Sequence, residues 1–210
     1  MHKYFIKTPW IVRQWFSSYE WRVPVAEKVV YLTFDDGPHP SVTPWVLEQL
    51  RLFGAKATFF CVGNNVELYG EVYRQVIEEG HRVGNHTYDH PNGWEMETEP
   101  YLDNIRKAAA LIDSDLFRPP YGRIKRSQAR KVAQALARPS ARIIMWDVLS
   151  ADFDPLFSVE QCLANVLKNY QPGSIIVFHD SEKAFPNLKP ILPKVLEELK
   201  REGYTCKALN

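Results

Sequence analysis

The stretch Val29-Val-Tyr-Leu-Thr-Phe-Asp-Asp-Gly37 is an apolar, β-branched run that ends in two adjacent carboxylates and a glycine. It reads as a buried strand that delivers charge to its own carboxyl end. In parallel α/β architectures the loops after the strands form the ligand-binding face, which puts Asp35 and Asp36 where chemistry occurs. Asp-Gly-Pro also suits a plain turn into the next helix. That task does not call for two consecutive acids at the end of a hydrophobic strand, where burying charge is costly.

Three further clusters have residue types that could act with these acids. In Gly84-Asn-His86-Thr-Tyr-Asp-His90-Pro91 two imidazoles stand four residues apart. That spacing puts both on one helix face, and it also allows convergence in a tight loop. Pro91 disfavours the helical region at His90, so a loop is expected. Two neutral imidazoles and one strand-end carboxylate would hold a divalent ion with a position left open for water. Arg118-Pro-Pro-Tyr-Gly122 is a stiff turn suited to holding a backbone N–H ready for an oxyanion. Its arginine can fork onto a carboxylate and keep it ionised, or simply be solvated in a loop. Ser174-Ile-Ile-Val-Phe-His179-Asp180 repeats the pattern of an apolar strand ending in titratable groups. Alone, His179 reads as a core or loop histidine; beside a metal it reads as a general acid. Asp152 is placed to pair with that imidazole and raise its pKa, whereas Asp147 reads as a cap or structural acid outside the site.

The elements that position these groups recur as apolar strand, polar loop and amphipathic helix. Strands are expected near 29–34, 56–62, 81–84, 115–118, 141–147, 174–178 and 204–208. Helices are expected near 43–53, 65–79, 98–112, 125–137, 158–169 and 188–202, several closed by a glycine such as Gly54, Gly80 or Gly203. Ser158 with Glu and Gln in the next turn has the form of an N-cap. This alternation predicts right-handed βαβ units and a parallel sheet. The fold class is therefore α/β, an incomplete, distorted (β/α) barrel of about seven parallel strands, with every titratable cluster on one face.

The 210 residues suit one such domain, and a formal charge of +1 argues against nucleic acid as a partner. Cys61, Cys162 and Cys206 are few, odd in number and set in apolar or amphipathic segments, so buried free thiols are expected. No CxxC pair supports a thiolate zinc site. Residues 1–28 are rich in aromatic rings interleaved with Lys and Arg. They suggest a helical lid packing on a domain spanning 29–210, with an interfacial membrane contact as the alternative. The N-terminus lacks the apolar core and cleavage site of a secretory leader, which leads to a cytoplasmic expectation, with periplasmic or cell-surface action as the alternative.

The order Thr-Phe-Asp-Asp-Gly, His-Thr-Tyr-Asp-His-Pro, Arg-Pro-Pro-Tyr-Gly, Ser-Ala-Asp-Phe and Ile-Ile-Val-Phe-His-Asp resembles the polysaccharide deacetylase family, carbohydrate esterase family four, over about residues 28–207. The residues alone do not divide the roles of Asp35 and Asp36. The resemblance implies that Asp35 is the catalytic base and that Asp36, His86 and His90 bind the metal. The implied ion is zinc first, with Co2+, Mn2+ or Fe2+ as alternatives. It further implies that Arg118 orients the base, the Tyr121 N–H serves the oxyanion, His179 is the acid and Asp152 tunes it. Val177, Phe153 and Pro120 are expected to shape the substrate pocket. The fourth motif departs from the family pattern: Leu149 stands where an aspartate is common and Phe153 where a tryptophan is common. The implied activity is metal-dependent removal of N-acetyl groups from an acetylated polysaccharide or oligosaccharide such as peptidoglycan or chitin. O-acetyl esterase activity on a polymer such as acetylxylan is the alternative.

Overall fold

A computed structural model describes residues 4–210. Its centre is β1 (Val29–Asp35), buried along its whole length. Period-two alternation divides the strand between two apolar environments. Val30, Leu32 and Phe34 join the cluster packed by helices, while Val29 and Tyr31 join Phe60, Leu116, Ile175 and Leu209 in another. On one side of β1 follow β2 (Ala57–Cys61), β3 (Arg82–Asn85), β4 (Leu116–Phe117) and β5 (Arg142–Ile143). On the other side lie β7 (Ile175–His179) and then β6 (Val148–Leu149), all parallel. A short β8 (Thr205–Cys206) pairs with Val29 and Val30 of β1. The sheet is the expected incomplete barrel, with β5 and β6 at its two edges.

The helices are α1 (Trp10–Trp15), α2 (Val42–Leu52), α3 (Gly63–Leu68), α4 (Gly70–Glu78), α5 (Thr98–Ala109), α6 (Arg126–Ala129), α7 (Val132–Ala135), α8 (Val159–Leu167) and α9 (Phe185–Arg201). Ser158 caps α8 with a complete capping box, as its sequence suggests. All three cysteines are buried and free. No helix among the described residues is long and apolar enough to cross a membrane.

One expected strand requires correction. Residues 141–147 form no single strand: β5 ends at Ile143, the chain crosses the open side of the barrel, and β6 begins at Val148 on the opposite edge. The carbonyls of Ile144 and Met145 on this crossing are taken by the Arg118 guanidinium instead of a neighbouring strand, at 3.1 and 2.9 Å. Asp152 accordingly follows β6, an element additional to the expected seven.

The N-terminal segment spans that open seam. Ile6 and Thr8 bond to the backbone at Leu149 and Asp147, at 2.8 and 3.0 Å, and Glu20 exchanges bonds with Ile143 and Met145, at 2.9 and 2.7 Å. Between these two seams residues 9–19 arch over the barrel. The expected helical lid is only the six-residue α1, which buries none of its residues and leaves Trp10 and Trp15 exposed. An ion pair between half-buried Lys7 and buried Asp147 ties the arch down: Lys7 Nζ lies 2.6 Å from Asp147, which also accepts from Ser174 Oγ at 2.6 Å. Asp147 is thus structural.

Candidate active site and metal centre

Every titratable cluster lies at the carboxyl ends of the strands, around one cleft of about 810 Å³. Asp35 ends β1 and is buried. Asp36 is the first loop residue and takes a left-handed conformation, φ 79°. Asn65 donates to the Asp36 carbonyl at 2.8 Å and fixes the loop. Its next residue, Gly37, donates to Asp180 at 3.1 Å, and a Cβ at this position would meet Asp180 Oδ2 at 2.1 Å. Only glycine fits that approach. Asp180 is fully buried and also accepts from Thr43 Oγ1 at 2.5 Å; burial, chiefly, pushes its carboxyl up to about 7.

His86 and His90 occupy the loop after β3. Thr87 and His90 have positive φ, 66° and 58°, so the loop reverses tightly and brings the two rings to 5.0 Å. Its backbone is pinned by side-chain amides: Asn85 Oδ1 accepts from Thr87 N, and Asn104 Oδ1 from Tyr88 N and Asp89 N, at 2.8, 2.7 and 3.0 Å. His90 Nε2 lies 3.2 Å and His86 Nε2 3.7 Å from Asp36 Oδ1. One ligand atom from each of these three residues falls within 4.8 Å of the others.

The donor set fits a divalent cation. His86 Nδ1 lies 2.7 Å from the Arg118 carbonyl, an acceptor that requires the proton on Nδ1 and so leaves the Nε2 lone pair facing Asp36. Burial pushes His86 down to about 4, so it stands neutral as a ligand must. Burial alone would raise the Asp36 carboxyl, but the hydrogen bond from His90 and then the charge of His179 outweigh it and hold the group well below the carboxylate range.

Two buried pairs flank this centre. Arg118, fully buried, donates from Nη1 to Asp35 Oδ1 at 2.6 Å and Thr33 Oγ1 at 2.7 Å, and its guanidinium lies 4.1 Å from the Phe60 ring centre. With the two crossing carbonyls each guanidinium nitrogen is engaged, so it holds Asp35 in one orientation. On the other side His179 Nδ1 lies 2.8 Å from Asp152 Oδ1, and the His179 N–H donates to Asp152 Oδ2 at 2.9 Å. Ser150 Oγ donates to Asp152 at 2.9 Å and Asn187 to its carbonyl at 3.1 Å. Burial works against the charged imidazole, but the Asp152 charge and hydrogen bond, helped by Asp36 and Asp35, lift His179 to about 9.

Tyr121 has φ 60° in a 3₁₀ turn, Pro120–Gly122, and its ring stands edge-on to His90 at 4.7 Å. No acceptor among the described residues takes its N–H. Val177, Leu149 and Phe153 line the cleft, with Phe153 edge-on to His179 at 4.8 Å. Pro120 is buried within its turn and does not line the cleft, so it stiffens the Tyr121 backbone instead of shaping the pocket. Leu149 supplies apolar wall where the family pattern has an acid. The supporting amides and hydroxyls Asn65, Asn85, Asn104, Ser150 and Asn187 were not singled out from sequence. Only Asn85, within the histidine motif, and Ser150, which opens the Ser-Ala-Asp-Phe motif, carry any local signal.

This arrangement can bind a cation, deprotonate a water at Asp35 and deliver a proton from His179 across the same cleft. The family model described as polysaccharide deacetylase matches residues 22–139. A peptidoglycan-N-acetylglucosamine deacetylase of Bacillus cereus is 34% identical over 193 residues, covering 88% of this chain and 87% of that protein. A chitooligosaccharide deacetylase of Azorhizobium caulinodans is 36% identical over 166 residues, covering 76% and 77%. The crystal structure of the Bc1960 peptidoglycan N-acetylglucosamine deacetylase with 4-naphthalen-1-yl-N-oxidanyl-benzamide superposes with a TM-score of 0.85 at 31% identity, covering 93% of this chain and 94% of that one. With its barrel, its five motifs and these relatives in agreement, the chain belongs to the polysaccharide deacetylase family.

Proposed function

We propose that this protein removes the acetyl group from an N-acetylated amino sugar by metal-dependent hydrolysis, releasing acetate and a free amine. The observation that carries the reading is the convergence of Asp36, His86 and His90 between two buried pairs, Asp35 with Arg118 and Asp152 with His179. Asp36, His86 and His90 would hold the ion, zinc by ligand type, which when bound supplies Lewis-acid polarisation and acidifies a coordinated water. Asp35, aimed by Arg118, takes a proton from the attacking water. The Tyr121 N–H donates to the oxygen on which charge develops. His179, protonated up to about pH 9, gives its proton to the departing nitrogen. An amine cannot leave unprotonated, whereas an alcohol can, so the care with which Asp152 raises His179 favours an amide over an ester substrate.

Acetate release from chitooligosaccharides and peptidoglycan tests this. Asp35→Asn and His179→Ala should each lower kcat by about 10²–10⁴-fold, with His179→Ala the milder on an O-acetyl ester; near-full rates in either variant on the amide would remove the assigned role. Chelation should abolish activity, Zn2+ should restore it, and restoration only by Co2+, Mn2+ or Fe2+ would reassign the metal.

A further inference from the structure

The cleft does not end at the catalytic groups. Beyond Tyr121 it runs beneath the N-terminal arch, with Val12, Phe16 and Tyr19 on the arch side and Ile124, Met145 and Trp146 on the barrel side. Val12 and Phe16, one turn apart around α1, share a face. A glycan lying here would need polar groups for its hydroxyls, yet of the three that the arch side brings to the cleft only the Tyr19 hydroxyl is left for one. The Thr8 hydroxyl donates to the Trp146 carbonyl at 2.8 Å and the Trp21 indole N–H to the Phe16 carbonyl at 3.0 Å. The arch is apolar on its outer side as well: Trp10 is 67% exposed, Ile11 45% and Trp15 73%. A patch of that kind marks an apolar partner, and Trp is the residue of membrane interfaces.

What occupies the groove follows from what it joins. It opens directly onto Asp35, Asp36, His86, His90 and His179, so its occupant is the remainder of the molecule whose amide lies there. We infer that the substrate is an amphiphile: an acetamido sugar bearing a long alkyl or isoprenoid aglycone, with the chain lodged between the arch and the seam crossed by Met145 and Trp146. The inference rests on the deacetylase reading for the sugar end only. The chain end is a matter of apolar burial, where each methylene removed from water is worth about a factor of four in affinity.

The test compares acetate release from methyl and n-dodecyl glycosides of N-acetylglucosamine, the latter below its critical micelle concentration, and from chitotetraose. The dodecyl glycoside should exceed the methyl glycoside in kcat/KM by about 10-fold or more. Val12→Ser/Phe16→Ser should bring that ratio close to one, while Phe16→Leu keeps it. Equal kcat/KM for the two glycosides, or a ratio untouched by the double substitution, overturns the inference. So does chitotetraose surpassing the dodecyl glycoside 10-fold, which would give the groove to a glycan. Failure of the deacetylase reading looks different, since no substrate then yields acetate. The groove is then decided by quenching of Trp21, Trp94 and Trp146 fluorescence: binding of the dodecyl glycoside 10-fold tighter than the methyl glycoside upholds it, and equal binding overturns it.

Discussion

Two buried pairs of one carboxylate and one cationic side chain stand on either side of the metal centre, Asp35 with Arg118 at 2.6 Å and Asp152 with His179 at 2.8 Å. They are built alike and put to opposite uses. Arg118 is fully buried, with Asp35, Thr33 Oγ1 and two backbone carbonyls around it, so its partner carboxylate is the member that lines the cleft. In the second pair Asp152 is the enclosed member, fed by Ser150 Oγ and the His179 N–H, and the imidazole lines the cleft. The reactive member of an ion pair is thus decided by which end faces the substrate. The enclosed member only sets its partner's charge and direction.

The largest way to break this symmetry is Arg118→Met. It leaves Asp35 buried without a counter-charge and frees the crossing carbonyls, which should cost about 3–5 kcal/mol of stability in urea unfolding together with most of the activity. A loss under 1 kcal/mol would mean that the guanidinium does not organise the seam.

Asp152→Asn sharpens the comparison through pH. Losing the carboxylate charge should move the alkaline limb of kcat from about 9 towards the ordinary histidine value near 6.5, and lower kcat up to about 30-fold at pH 8. An unmoved limb would take His179 out of the acid's role.

The remaining effect is on stability. His179 has a folded pKa raised above its unfolded one, so the pair's contribution is complete below about pH 6.5 and is lost as pH rises through about 9. His179→Ala should therefore flatten that decline in chemical unfolding between pH 6 and 9, at a cost of about 2–3 kcal/mol at neutral pH, since buried Asp152 loses its counter-charge while Ser150 still donates to it. A steeper decline in the variant would show that the pair does not carry this linkage.

The parts of the site most legible from sequence are those where an apolar run stops on charge. β1 and β7 are such runs, buried on both faces, and only a strand-end position relieves the cost of burying Asp35 or His179. Pro91 likewise announces that His86 and His90 lie in a loop. The seam was not legible. Arg142-Ile-Ile-Met-Trp-Asp-Val148 has the composition of one strand, and nothing local distinguishes pairing along one neighbour from crossing between two edges. Asn104 and Asn187 were invisible for a related reason. Each is a lone polar residue on or beside a helix, and its role comes from backbone 15 or 35 residues away.

The residue order by itself determined the parallel α/β alternation, the face on which the titratable groups gather and the pairing of two imidazoles with a strand-end carboxylate, though not which of Asp35 and Asp36 joins them, because burial period and strand-end charge are local properties of a chain. Tertiary structure alone decided that Arg118 spans from Asp35 to the crossing at Ile144 and Met145, that Asp147 anchors the arch through Lys7, and that the arch walls the cleft. Those contacts join segments dozens of residues apart, and their energy exists only once loop closure has brought a specific donor to a specific acceptor.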